Sequence, residues 1–266
     1  MLMLQTGAAL SLTNPTTYQP SDDERALLAL GPTLWLEDRA QFYRLSATGA
    51  VQDLTDRTRG TRYAPVSTPP TLAAGTHGLT FAGSGDGAGT TNALMPADGY
   101  AAVTNRNVFS TITISKIGTG AEAGGCLVGG ASATDYSMVL LDKTQTGECV
   151  FYNDHGVSTG MGSSPTQAQK DNTWHTNIIS VDTTGGATYF DGTPIGGANT
   201  DLSISAVTGA NVLVIGGSGP TGVVDNPFQG QIGAVMHIPG LALHLAANAA
   251  ALTLVNRYFT ALLAAL

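Results

Sequence analysis

Apolar residues recur along most of this chain in runs of about four to eight, with turn-forming residues between them. Four such runs follow one another in the last third: residues 174–182, opening on Trp174; residues 187–192, with Tyr189 and Phe190; residues 212–217; and residues 228–235, opening on Phe228. Thr, Val and Ile are frequent in the runs, and Gly, Asn, Asp or Pro bound them. That is the pattern of strands joined by tight turns. Asp191-Gly192, directly after Tyr189-Phe190, marks a hairpin, because both residues tolerate the positive φ of a primed two-residue turn. The same reading places strands around Trp35 (residues 33–37) and Phe81 (residues 78–84).

Helix is expected only at the two ends. Ser21, with Glu24 three residues on, fits a capping box; Leu27, Leu28 and Leu30 supply an apolar side, and Gly31-Pro32 stops the helix. Between residues 241 and 266, Leu252, Val255, Phe259, Leu262 and Leu266 recur at three- and four-residue spacing, the apolar face of an amphipathic helix. His244, Asn248, Asn256 and Arg257 interrupt that stretch, so it falls short of the roughly 18 apolar residues of a membrane helix. It is expected to pack on the strands, with a subunit contact through residues 262–266 as the alternative. Residues 1–20 carry Gly7, Pro15 and Pro20 and no charged side chain. They read as an extended arm lying along a neighbouring surface, or as a disordered terminus. The first seven residues lack the positive start and sustained apolar stretch of a secretory leader.

The order of these phrases resembles the closing half of a concanavalin A-like, laminin-G-like jelly roll. There an aromatic-led strand, an Asp-Gly hairpin, a strand ending in Gly-Gly and a Phe-x-Gly-x-Ile strand follow one another. Residues 33–37 and 78–84 look like that family's opening strands, so the likeness covers most of residues 33–260. It implies an all-β fold, a two-sheet antiparallel jelly-roll sandwich with a short N-terminal helix and an amphipathic C-terminal helix. The chain then divides into residues 1–32, an anchoring arm and helix, and residues 33–266, the jelly roll with its C-terminal helix. The resemblance also places Trp174 in the core between the sheets. Composition agrees, with 34 Gly in 266 residues and only 11% charged residues. One sandwich of roughly 200 to 250 residues is an ordinary single domain.

A net charge of −8 argues against a nucleic-acid partner, since phosphate binding needs clustered Lys and Arg. The basic residues crowd toward the start: Arg25, Arg39, Arg44, Arg57, Arg59 and Arg62 precede His77, and Arg106, Lys116, Lys143, Lys170 and Arg257 follow it. Residues 53–62, with Arg57, Arg59 and Arg62, read as a solvated loop in preference to a docking surface. Cys126 and Cys149 are the only cysteines. Strands at 125–129, 136–142 and 149–153 would set them on either side of a middle strand, about 10 Å apart. A disulfide needs a Cα spacing of roughly 4.4 to 6.8 Å, so two buried thiols are expected.

Candidate catalytic chemistry is sparse. Glucanases of this fold carry Glu-x-Asp-x-x-Glu on one strand, because acid and nucleophile must flank one glycosidic bond about 5 Å apart. Glu24, Glu37, Glu122 and Glu148 do not form that pattern. No Gly-x-Ser-x-Gly elbow occurs. Residues 217–222 match a dinucleotide fingerprint, but the loop and Pro227 that follow leave no helix N-terminus for a pyrophosphate. Calcium at one rim is frequent in the fold class, and Asp135, Asp142, Asn153 and Asp154 sit near expected strand ends. Their spacing matches no calcium loop, so an ordinary turn role is favoured and no metal or other cofactor is expected. The five histidines show no paired zinc spacing.

For ligand binding, residues 150–156 stand out. Tyr152, Asn153, Asp154 and His155 bring aromatic, amide, carboxylate and imidazole groups to a strand-to-loop junction, where they could stack on and hydrogen-bond a glycan. The bland counterpart is a strand with inward aromatics and a polar turn. The resemblance implies a non-enzymatic structural protein displayed on the capsid or tail of a tailed-phage virion. Such a protein is made in the host cytoplasm and anchored to other virion proteins by its arm. It is expected to be a homo-oligomer, a trimer by analogy, with a cell-surface glycan as its outer partner and neither nucleic acid nor membrane. A bacterial carbohydrate-binding or adhesion module is the alternative, and a glycoside hydrolase with an unrecognised site the third reading.

Overall fold

The computed structural model of the chain describes residues 18–66, 68–72, 77–83, 92–104, 107–119, 125–131, 136–142, 149–153, 161–162, 171–194, 212–217 and 227–266. For residues 40, 130–131, 136–142, 149–153 and 161–162 that description covers the backbone. After helix α1 (Asp22–Ala29) come β1 (Leu34–Glu37), β2 (Tyr43–Leu45), β3 (Val51–Thr55), β4 (Arg62–Pro65), β5 (Leu79–Ala82), β6 (Leu94–Pro96) and β7 (Phe109–Lys116). Next are β8 (Gly125–Ala131), β9 (Tyr136–Asp142), β10 (Cys149–Asn153), β11 (Met161–Gly162), β12 (Trp174–Asp182), β13 (Gly185–Phe190), β14 (Thr193–Pro194), β15 (Val212–Ile215) and β16 (Gln229–Pro239). Helix α2 (Ala249–Leu263) follows. The expected stretch from 241 is thus helical only from 249, after a 3-10 turn at Ala246–Asn248.

The strands build two antiparallel sheets. One runs β1-β16-β7-β12-β13-β14, with β5 beside β1 on the same edge of the long β16. The other has nine strands, in the order β11-β10-β9-β8-β15-β6-β4-β3-β2. The strand phrases read from the sequence fall on β1, β5, β12, β13, β15 and β16. Asp191 (φ 46°) and Gly192 (φ 77°) make the predicted primed turn between β13 and β14. Cys126 of β8 and Cys149 of β10 pair with β9 at Leu141 and Asp142, so one strand lies between them as expected.

Alternation along the strands divides the apolar residues between two cores. Leu34, Leu36, Phe109, Ile179 and Val235 point from the seven-stranded sheet toward Leu54, Tyr63, Leu127 and Leu213 of the other. The remaining side chains of the same strands, Ile112, Ile114, Ile178, Ala234, Met236 and Ile238, face Leu27 of α1 and Val255, Phe259 and Leu262 of α2. The seven-stranded sheet is therefore the middle of three layers, buried on both faces. No helix among the described residues is long and apolar enough to cross a membrane.

A charged cluster joins the helices to that middle layer. The Arg57 side chain, 4% exposed, lies between Glu24 of α1 and Glu37 of β1, with N···O distances of 2.9 and 2.7 Å. Its guanidinium carbon sits 3.8 Å from the centroid of the Trp35 ring. Arg39 pairs with both glutamates from the rim of the cluster, and the Tyr258 hydroxyl of α2 donates to Glu37 at 2.7 Å. The sequence reading of residues 53–62 as a solvated loop or docking surface fails here. Two buried carboxylates draw Arg57 inward, while the backbone N–H groups of Trp35 and Arg57 bond to Asp56 Oδ1 and Trp35 O. The predicted capping box is present, and its Glu24 is also the carboxylate of this cluster.

Replacing Arg57 with Met leaves two buried glutamates with Arg39 as their remaining counter-charge. Urea titration is expected to show a loss of about 3 kcal/mol or more. Neutralising Glu24 and Glu37 to Gln in the same protein is expected to recover part of that loss.

Burial and charge also set the acid response. His237, fully buried between the sheets with Nδ1 against Thr111, is pushed by burial from 6.5 down to about 3. Burial raises Glu24, but the Tyr18 hydroxyl, the Ser21 amide and Arg57 outweigh it and hold its pKa at about 2. Both folded values lie below the unfolded ones, so each group contributes stability that is lost as pH falls. The window for His237 runs from about 6.5 to about 3, and that for Glu24 from about 4.5 to about 2. His244, lowered by burial, adds to the loss below pH 6.5. Urea midpoints should therefore decline below pH 6.5, and His237→Asn should flatten the decline between pH 6.5 and 4.5.

Candidate functional site

Register across the seven-stranded sheet brings four side chains into one row. Thr80 of β5 pairs with Gln231 of β16, Gln231 with Lys116 of β7, and Lys116 with Trp174 of β12. Their neighbours Leu79, Phe81 and Ile232 point into the sandwich, so the row lies on the opposite face, the one α2 covers farther along. A β-bulge between Ile232 and Ala234 makes this possible, because it sets Gln231 and Ala234 on the same side of β16. Three inter-strand steps of about 4.8 Å make the row about 14 Å wide.

Trp174 is partly exposed at the end of that row and packs against the helix-side core. The expectation that it sits between the sheets is wrong. It opens β12 on the even-numbered face with Ile178, whereas Ile179 and Val181 take the inner one. Two glycines make its seat. A Cβ on Gly78 (φ +81°) would lie 2.1 Å from Trp174 Cη2, and one on Gly233 would lie 3.5 Å from Cζ3 and 2.9 Å from Leu266 Cδ1.

Two clefts open beside this indole. The larger, about 700 Å³, has a polar wall of Asp38, Arg39, Gln41, Tyr43 and His77 facing Tyr258, Ala261, Leu262 and Leu266 at the end of α2. Asp38 is nearly buried, and its carboxylate accepts the Gly78 N–H with His77 Nδ1 3.7 Å away. Burial raises the pKa of Asp38, with the Gly78 amide and His77 opposing. Burial likewise raises Tyr43. The smaller cleft, about 410 Å³, is lined by Thr80, Lys116, Asn172, Gln229 and Gln231 over Phe81 and Gly230. Gln231 donates to the Thr80 hydroxyl at 3.3 Å. Hydroxyl, carboxamide, carboxylate and aromatic groups around a shallow apolar floor are the means by which a protein holds a polyhydroxylated ligand.

Of the sequence-predicted glycan residues, two fall on a described strand. Tyr152 and Asn153 close β10 of the nine-stranded sheet, opposite Val139 and Met138, and Asp154 and His155 lie outside the described residues. Asp142 and Asn153, named for calcium, end β9 and β10, while Asp135 and Asp154 lie outside the described residues. Among the described residues no His, Cys, Asp or Glu group of metal-binding size forms.

Two histidine clusters went unread in the sequence, since each joins residues from separate segments. His175 Nδ1 and Nε2 lie 2.8 and 3.0 Å from Asp191 and Asp171. Burial lowers His175, but the two carboxylates outweigh it and raise its pKa. The other runs Ser180, His244, Asp182: Ser180 Oγ is 2.8 Å from His244 Nδ1, and His244 Nε2 is 3.8 Å from Asp182. Ser180 is fully buried and its oxygen accepts the His244 backbone N–H. Together with Ser110, which donates to Leu241 O and accepts from Leu243 N, it fastens residues 241–244 to the sheet.

No protein-family model and no curated protein sequence matches the chain. Solved structures do resemble it. Domain 4 of AbnA, an extracellular arabinanase of Geobacillus stearothermophilus solved with arabinotriose, is 15% identical, with a TM-score of 0.54 over 83% of this chain and 97% of that one. The binding domain of botulinum neurotoxin DC, solved with rat synaptotagmin II, is 10% identical, with a TM-score of 0.56 over 87% of this chain and 51% of that one. At these identities the likeness is one of fold. The chain has the two-sheet antiparallel jelly-roll sandwich expected from its strand order.

Gly78→Ala must move the indole as well as strain a left-handed backbone. Trp35 is fully buried, so Trp174 is the tryptophan that reports a change of exposure. The variant is expected to show red-shifted emission and stronger acrylamide quenching, with a stability loss of about 1 to 3 kcal/mol.

Proposed function

We propose that this chain is a non-enzymatic carbohydrate-binding module whose ligand lies on the open end of the seven-stranded sheet. The observation that carries the reading is Trp174. A partly exposed indole, seated by Gly78 and Gly233, neighbours residues of two clefts, Leu266 of one and its register partner Lys116 of the other, whose linings carry hydroxyl, amide and carboxylate groups. Its ring supplies an apolar platform for a sugar face, and the flanking groups supply hydrogen bonds to hydroxyls. The arabinanase domain, a fold relative solved with arabinotriose, supports the same choice. Its weight is that of analogy.

The non-enzymatic part of the reading draws support from two buried glutamates and a buried serine being engaged. Glu24 and Glu37 are neutralised by Arg57 and Arg39, and Ser180 Oγ is occupied by a backbone amide and an imidazole. Display on a phage virion, the first expectation from the strand order, gains no observation of its own from the fold. The carbohydrate-binding alternative does, and it takes precedence.

An oligosaccharide array with the purified chain tests this. Binding is expected, and Trp174→Ala should weaken it about tenfold or more, the equivalent of about 1.4 kcal/mol, while circular dichroism and the urea midpoint confirm an intact fold. An array with no binding, or a folded Trp174→Ala protein that binds as before, would sink the proposal.

A further inference from the structure

Lys116 sets the smaller cleft apart from an ordinary neutral sugar site. It ends β7, between Gln231 and Trp174 in register, and its side chain lines the cleft with Thr80, Asn172 and Gln229. Every other side chain there is uncharged. Arg25, Arg39, Arg44, Arg57 and Arg257 each hold a carboxylate, whereas Lys116, like Arg59 and Arg62, has no ion pair among the described residues, and of these three it alone lines the cleft. A lysine ammonium is a compact point charge on a flexible stem, able to meet a carboxylate or a sulfate without a fixed bidentate geometry. The carboxamides beside it match the hydroxyls of the same sugar. The other cleft carries both signs, with Asp38 beside Arg39 and His77 in its polar wall.

Resting on the carbohydrate-binding reading, we propose that this face is selective for an acidic oligosaccharide: Lys116 takes the anionic sugar, and the neutral remainder runs across Trp174 toward the Asp38 cleft. The charge on Lys116 sets the specificity, and the indole supplies affinity common to charged and neutral sugars.

The test is an array in which each uronic, sialylated or sulfated oligosaccharide is paired with its neutral counterpart, followed by calorimetry on the best pair at 0.05 and 0.5 M salt. Acidic members are expected to bind about tenfold more tightly than their partners, in line with one charge-assisted contact, and to weaken at the higher salt while the neutral ones do not. The uronic and sulfated arms separate the two sources of negative charge. Lys116→Gln should bring the ratio of acidic to neutral binding close to one, and Lys116→Arg should restore it. Lys116 is partly exposed, so the Gln variant is expected to fold normally. Equal binding of acidic and neutral partners, or a preference unchanged in Lys116→Gln, overturns the selectivity and leaves the carbohydrate reading standing. Binding of neither class overturns both.

Discussion

Arg57 is the point on which the arrangement of this protein depends. Its guanidinium lies between Glu24 and Glu37 and against the ring of Trp35, in a place where a lone charge would cost several kcal/mol. Because its partners come from α1, β1 and α2, one buried cation ties the first helix, an edge strand of the middle sheet and the last helix together. Tyr258 and Arg39 complete the set, so two positive and two negative charges balance, with Arg39 alone reaching solvent at the rim. Apolar packing alone would hold both helices on the sheet over a range of positions. The charges select one, since hydrogen bonds to carboxylates are short and directional.

That placement decides what remains open. α2 covers Ile112, Ile114, Ile178 and Met236 and then stops, with Leu266 at the edge of the Trp174 seat. Beyond it the same sheet face leaves its aliphatic run at the next same-face position of each strand, from Ile114 to Lys116 on β7 and from Ile178 to Thr176, ahead of Trp174, on β12. The bulge at Gly233 keeps Gln231 on this face. A sheet buried on both sides along most of its length thus ends in an uncovered strip carrying an indole, amides and one unpaired ammonium. Such a strip, on a rigid support, is a reasonable place to bind a ligand that offers alternating apolar faces and hydroxyls.

Much of the fold was legible because its signals are local. The capping box at Ser21 and Glu24, the primed turn at Asp191-Gly192 and the three-four spacing of Val255, Phe259 and Leu262 each involve residues within a few positions of one another. The strand phrases were legible for the same reason. The candidate site was not. Tyr152, Asn153, Asp154 and His155 attracted notice because they are consecutive, whereas Thr80, Gln231, Lys116 and Trp174 come from four distant segments and meet only through register. Trp174 was assigned to the inner core because a strand-leading tryptophan can face either side, and parity within β12 had no anchor until Ile179 and Val181 were placed.

The sequence by itself determined the end helices and the main strand phrases, since turn chemistry and apolar period act over a few residues, and the two-sheet class followed from the resemblance of their order to a jelly roll. Only the tertiary structure decided that Arg57 lies inside rather than on a solvated loop, which face Trp174 presents, and which polar groups stand beside it. Those outcomes depend on pairings between residues tens to hundreds of positions apart. A one-residue change of register would send every side chain of a strand to the opposite face.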